Sequence, residues 1–166
     1  MKLLLSLSFP EIVPDTDFDL DDPEVRKDLL KHLMAKKSCV KVGEYNDLPF
    51  YHTGDQDGYW FLTDVAVTDI YYCCRYTSTV VRGSSKSKAV TQLAVWRTQD
   101  YATYKLLKIA ALVLFKRLLP TYGIVMSDGQ HTRAGKRFWI GRIVDALHRG
   151  LYCYVYNQNT RELTQI

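Results

Sequence analysis

QLAVWRTQDYATYKLLKIAALVLFKRLLPTYGIVMSDGQHTRAGKRFWIGRIVDALHRG, residues 92–150, is the stretch that decides the fold. Gln92 to Arg97 is a short run of β-formers, closed by the polar Thr98, Gln99 and Asp100. Tyr101 to Leu119 holds neither Gly nor Pro and has the length of a helix rather than a strand; Pro120 ends it. Gly123 to Met126 predicts a second buried strand and Ser127 to Thr132 a polar loop. Arg133 to His148 predicts an amphipathic helix that Gly150 terminates. Two strands joined through one helix make a βαβ unit, so the strands are expected to lie parallel with a right-handed crossover.

Toward the N-terminus the chain supplies the rest of a sheet. Met1 to Phe9 reads as a first strand, ended by Pro10 and Pro14 and followed by an acidic loop from Asp15 to Asp22. Asp22-Pro23-Glu24 is a helix start: a capping carboxylate, Pro at the first helical position and an acid in the first turn. That helix is expected to run to about Lys37, with Val25, Leu29, Leu30, Leu33 and Met34 on its apolar face and His32 in solvent. Cys39 to Tyr45 and Leu48 to His52 are strands around an Asn46-Asp47 turn. After a turn over Gly54 to Gly58, Tyr59 to Leu62 and Val65 to Tyr76 are strand material. Thr77 to Lys88 is small and basic and reads as a hairpin loop into the strand Ala89 to Arg97. Beyond the last helix, Leu151 to Tyr156 and Arg161 to Ile166 read as strands around a turn at Asn157 to Asn159. The expected architecture is an α/β (α+β) mixed sheet in a single domain over residues 1–166. It has an antiparallel meander, a C-terminal βαβ unit and helices on both faces.

With 166 residues, 47% of them hydrophobic, the chain is long and apolar enough to bury a core, which excludes a disordered protein. Cys39, Cys73, Cys74 and Cys153 form no CxxC pair, and Cys73 and Cys74 point to opposite faces on a strand. This favours a reduced, cytoplasmic protein without a disulfide or metal framework. The apolar run Ile109 to Phe115 is too short to cross a membrane and reads as core, so no membrane partner is expected. Charge is divided along the chain. Residues 1–70 carry seven Lys/Arg against fourteen Asp/Glu, and residues 82–149 carry thirteen against three. Such a basic half is either a solvated face or an anion site for phosphate, nucleotide or nucleic acid.

The order of elements resembles that of the GCN5-related N-acetyltransferases, the GNAT superfamily. In that family a turn with the pattern Q/R-x-x-G-x-G/A, at a helix start, holds the pyrophosphate of coenzyme A on backbone amides. Here the corresponding segment is Arg97-Thr-Gln-Asp-Tyr-Ala102, in which Arg97 and Ala102 match and Asp100 stands for the first glycine. The family's last helix often reads N-x-x-A-x-x-L-Y, and Thr132-Arg-Ala-Gly-Lys-Arg-Phe-Trp139 has that spacing with Trp139 in the tyrosine's place. An indole N–H is too weak an acid to replace a phenol as proton donor to a leaving thiolate. The chain also resembles small phage-encoded proteins with a V-W-R strand and an S-D-x-x-x-T-x-x-G-x-x-F-W segment, here Ser127 to Trp139.

The GNAT resemblance implies an acyl-CoA-dependent N-acyltransferase with acetyl-CoA as cofactor and an amine-bearing substrate. The cofactor would be held by Val95, Arg97, Gln99, Asp100, Tyr101, Ala102 and Trp139. Asp128 and His131, after the second strand of the βαβ unit, are the candidate acid–base pair, since open α/β sheets place ligands at that end. The plainer reading of the same loop is a capping segment with His131 exposed, and Thr98 and Asp100 are equally good helix caps. Asp100 and Trp139 motivate an alternative: a catalytically inactive GNAT-fold protein engaging a host protein or nucleic acid through Lys105, Lys108, Lys116, Arg117, Arg133, Lys136, Arg137, Arg142 and Arg149, with Arg82, Lys86 and Lys88 on a loop.

Overall fold

The computed structural model describes residues 20–54, 57–79, 90–98, 106, 108–125, 133–157 and 162–166. It is a mixed α+β protein. The described residues fall into two compact units, 20–125 and 133–166, each taken by itself below. The expected strand Met1 to Phe9 and residues 80–88 of the hairpin loop expected over Thr77 to Lys88 lie outside the described residues, while Thr77 to Thr79 prolong a strand that runs from Ile70.

In the first unit, helix α1 (Pro23–Ala35) begins as its sequence requires, with Asp22 Oδ1 accepting the Glu24 N–H at 2.8 Å and Pro23 in the first turn. Five antiparallel strands follow in sequence order: β1 (Cys39–Tyr45), β2 (Leu48–Thr53), β3 (Asp57–Thr63), β4 (Ile70–Thr79) and β5 (Val90–Arg97). The β1–β2 turn has Asn46 at φ 50° and Asp47 at φ 66°, both residues being tolerant of the left-handed region that tight hairpins use. Strand β1 slips register between Lys41 and Gly43, where Gly43 takes φ 145°. Helix α2 has an α-helical turn at Ile109–Leu112 and then widens into π-helical turns over Val113–Leu118. Strand β6 (Gly123–Val125) pairs with β5 in parallel, so the βαβ connection expected from residues 92–126 is present.

The sheet carries a helix on each face. On one side Leu30 and Leu33 of α1 pack with Tyr51, Phe61, Ile70 and Cys73. On the other, Leu106, Ile109, Val113 and Leu118 pack on Phe50, Trp60, Leu62, Tyr72, Cys74 and Tyr76. Cys73 and Cys74 thus belong to opposite layers, as strand alternation requires.

Three expectations need correction here. Val65 to Asp69 is a turn and not the start of a strand. The Asp64 carboxylate accepts from Thr68 N–H, Thr68 Oγ1 and Asp69 N–H at 2.6, 2.7 and 2.8 Å, giving the backbone a local alternative to the ladder. Val65 is left 73% exposed. The apolar face of α1 is also displaced. Val25 and Met34 are exposed and Arg26 is buried, its guanidinium held by Asp69 at 2.9 and 3.2 Å and by the carbonyls of Leu20 and Asp21. Finally, the second half of the long helix is π-helical. Val113 and Leu118, five apart, are both essentially fully buried. An α-helix would set them ~140° apart, whereas i→i+5 bonding, seen from Leu119 N–H to Leu114 C=O at 2.9 Å, stacks them on one face.

The second unit consists of helix α3 (Arg133–His148) and the antiparallel hairpin β7 (Tyr154–Asn157) and β8 (Glu162–Gln165), which forms a sheet of its own. Gly150, at φ 69°, ends α3. Its N–H donates to Leu147 C=O and the Leu151 N–H to Ala146 C=O, the paired bonds of a glycine C-cap.

Candidate functional site

The parallel pair β5–β6 is the place where the expected cofactor residues begin. Its ladder joins Val90, Thr91 and Gln92 to Gly123, Ile124 and Val125, and extends no further among the described residues. Strand β5 nevertheless continues through Leu93 to Arg97, bound to β4 along its whole length. Thr98 N–H donates to Tyr71 C=O at 2.9 Å, which fixes the phase of the antiparallel ladder. By alternation the backbone groups of Trp96 and Ala94 point to β4, and those of Leu93, Val95 and Arg97 point to the opposite edge. That edge is a row of amide donors and carbonyl acceptors ending at the exposed Arg97. Val95 and Arg97 lie opposite Cys74 and Tyr72, on the α2 side of the sheet.

Of the other expected site residues, Gln99, Asp100, Tyr101, Ala102, Asp128 and His131 lie outside the described residues, as does Lys105. Trp139 belongs to the second unit. It is buried there and meets Phe138 edge-on at 5.0 Å, while the Arg142 guanidinium lies 5.5 Å from the Phe138 ring. Lys116 and Arg117 are exposed on α2 and Lys108 at its start, and Lys136 and Arg137 are exposed on α3 with Arg149 just past its end.

A second constellation, which the sequence reading did not single out, sits under the π-helical turns. His52 Nε2 and the Tyr76 hydroxyl share a hydrogen bond of 2.8 Å. The His52 ring stacks on Trp60 at 4.0 Å, Arg117 lies 5.5 Å from the Trp60 ring, and Tyr122 meets Tyr76 at 5.8 Å. Trp60 Nε1 is buried without a hydrogen-bond partner among the described residues. Burial holds the His52 imidazole below its ordinary pKa of 6.5, and the nearby Arg117 charge pushes the same way. The cluster is therefore a neutral histidine wedged between aromatics. The alternation of Phe50 and His52 against Trp60 and Leu62 was its sequence signal, and the cross-strand register was what that signal lacked.

The cysteines are free thiols. Burial pushes Cys74 up to about 12 and Cys73 well above its ordinary value, so neither offers a thiolate near neutrality. Among the described residues no group of three metal-ligating side chains occurs and no helix is long and apolar enough to cross a membrane. Comparison with protein-family models, with curated proteins and with solved structures finds no match for the chain.

Proposed function

We propose that the open edge of β5 is an acyl-CoA site and that the protein is an N-acyltransferase of GNAT type. The observation that carries this is the phase of the β4–β5 ladder, which turns the backbone groups of Leu93, Val95 and Arg97 to the edge away from β4, where they meet no partner among the described residues. A pantetheine arm is an extended chain with two amides, the chemical equivalent of a short strand. The Leu93, Val95 and Arg97 backbone groups suit it, and the exposed Arg97 guanidinium suits a phosphate. When bound, acyl-CoA supplies an activated thioester. The β5 amides would orient that group and polarise its carbonyl; the family resemblance assigns the incoming amine's proton to Asp128 or His131, which lie outside the described residues. The same donor set is a reason to prefer this reading over a purely electrostatic anion site, which would not use strand acceptors.

Calorimetric titration with acetyl-CoA tests the proposal, with saturable binding expected and no heat at millimolar ligand overturning it. Val95→Pro sharpens the test. Its N–H faces away from β4, so a proline there removes an edge donor without breaking the ladder. The variant is expected to keep its circular dichroism and thermal transition while losing about tenfold or more in affinity, as for one to two hydrogen bonds. The alternative, a non-catalytic binder of nucleic acid, rests on the exposed cations of α2 and α3 and would show as polyanion binding that weakens steeply with salt.

A further inference from the structure

Helix α3 is apolar over more of its circumference than its own unit covers. Trp139, Ile143 and Ala146 are buried or half-buried. Ile140, Val144 and Leu147, on the adjoining strip, are 62%, 44% and 40% exposed. At ~100° per residue these three fall within a strip about 60° wide. Leu151, just past the glycine cap, is also 40% exposed.

The residues flanking this strip have one sign. Lys136 and Arg137, both exposed, fall on either side of it one turn before Ile140. The exposed His148 borders its other end. The helix has a single acid, Asp145, which is placed away from the strip and is paired with Arg142 at 3.0 Å. We infer that the Ile140–Val144–Leu147 strip is a docking seam for an acidic amphipathic helix of a partner protein. A strip this narrow matches the contact line of one helix against another, whereas a helix lying in a lipid surface presents a broader apolar face, often with aromatic side chains. A second copy docking strip to strip would set Lys136 and Arg137 against the same cations when parallel and against the acid-free His148 end when antiparallel, so neither arrangement gains from them. An acidic partner instead gains from those cations, which give direction and on-rate, while the aliphatic contacts hold the complex. The seam is short, so the complex is a transient one. This inference is independent of the coenzyme A reading.

Fluorescence anisotropy of a short labelled helical peptide of glutamate and leucine, titrated with the full chain, tests it. The expected result is saturable binding that weakens about tenfold or more in Val144→Asp and severalfold, with a shallower salt dependence, in Arg137→Glu. Both positions are on the surface, and unchanged circular dichroism confirms folding. A peptide of the same pattern with lysine for glutamate is expected not to bind. Equal binding of both peptides, or an acidic-peptide affinity indifferent to Val144→Asp, overturns the inference. So does co-sedimentation with phosphatidylserine vesicles in place of peptide binding, or a Val144-dependent dimer of the chain that excludes the peptide.

Discussion

His52 shows how a single residue reports on its layer. In the folded protein the ring is kept neutral by burial first and by Arg117 second, so the unfolded chain takes up a proton at higher pH than the folded one. The unfolded state then binds more protons in the window just below 6.5. The contribution of His52 to stability is therefore complete above 6.5 and is lost as pH falls through the depressed folded value. Urea unfolding between mildly acidic and neutral pH is expected to show this slope, and His52→Gln is expected to flatten it. The same substitution is expected to cost about 1 kcal/mol at neutral pH through the hydrogen bond to Tyr76. An unchanged pH slope in the variant would assign the effect elsewhere. The sequence did not disclose this residue, because one histidine among tyrosines has no meaning until its cross-strand neighbours are known. Arg26 was hidden for the same reason. Its partner Asp69 is far away in sequence, and only that pairing makes a buried guanidinium tolerable on a face read as aliphatic.

Elements were more legible than residues, and local chemistry explains which ones. The Asp22-Pro23-Glu24 start, the Asn46-Asp47 turn, the span Cys39–Tyr45 and the span Arg133–His148 all follow from signals within a few positions of one another. The Val65 to Asp69 turn was missed because β-rich composition argued for a strand while one carboxylate, Asp64, bent the chain. Burial pushes that carboxyl up, but the N–H groups of Asp69, Thr68 and Ala66 and the Thr68 hydroxyl outweigh it, and it ends below its ordinary pKa. The π-helical turns have no local signature at all, since they answer to the layer beneath them. Of the residues expected to hold coenzyme A, Val95 and Arg97 turn out to face the same edge of β5, and this depended on ladder phase rather than on motif. At this scale Gly58 is a sharp test. It lies in β3 opposite Tyr76, and an added Cβ would overlap the tyrosine ring. Gly58→Ala is expected to lower stability by about 1–3 kcal/mol, as overpacking does. It should also shift the His52 titration seen by NMR, because Tyr76 must move. A silent substitution would mean that the β3–β4 register differs from the one described.

For the molecule as a whole, one sheet is the shared wall of two cores. Cys73 and Cys74 are adjacent in β4 yet sit in opposite layers, both essentially fully buried. If the α1 layer and the α2 layer are lost together, the two thiols label at the same slow rate under native conditions, and only through global opening. Mass spectrometry of a timed alkylation checks this, with the half-buried Cys39 and Cys153 expected to react first. Faster labelling of Cys73 than of Cys74 would mean that the α1 layer opens by itself. The outermost strand has a different consequence. Val40 and Val42 of β1 are exposed, and β1 is the margin of the sheet among the described residues, the kind of surface that templates stacking of identical chains. The bulge beside Gly43 interrupts that margin partway, so an arriving segment loses hydrogen-bonding phase before it can zip along the whole of β1, and fibrillar growth from this side is checked by a single misfit in the backbone.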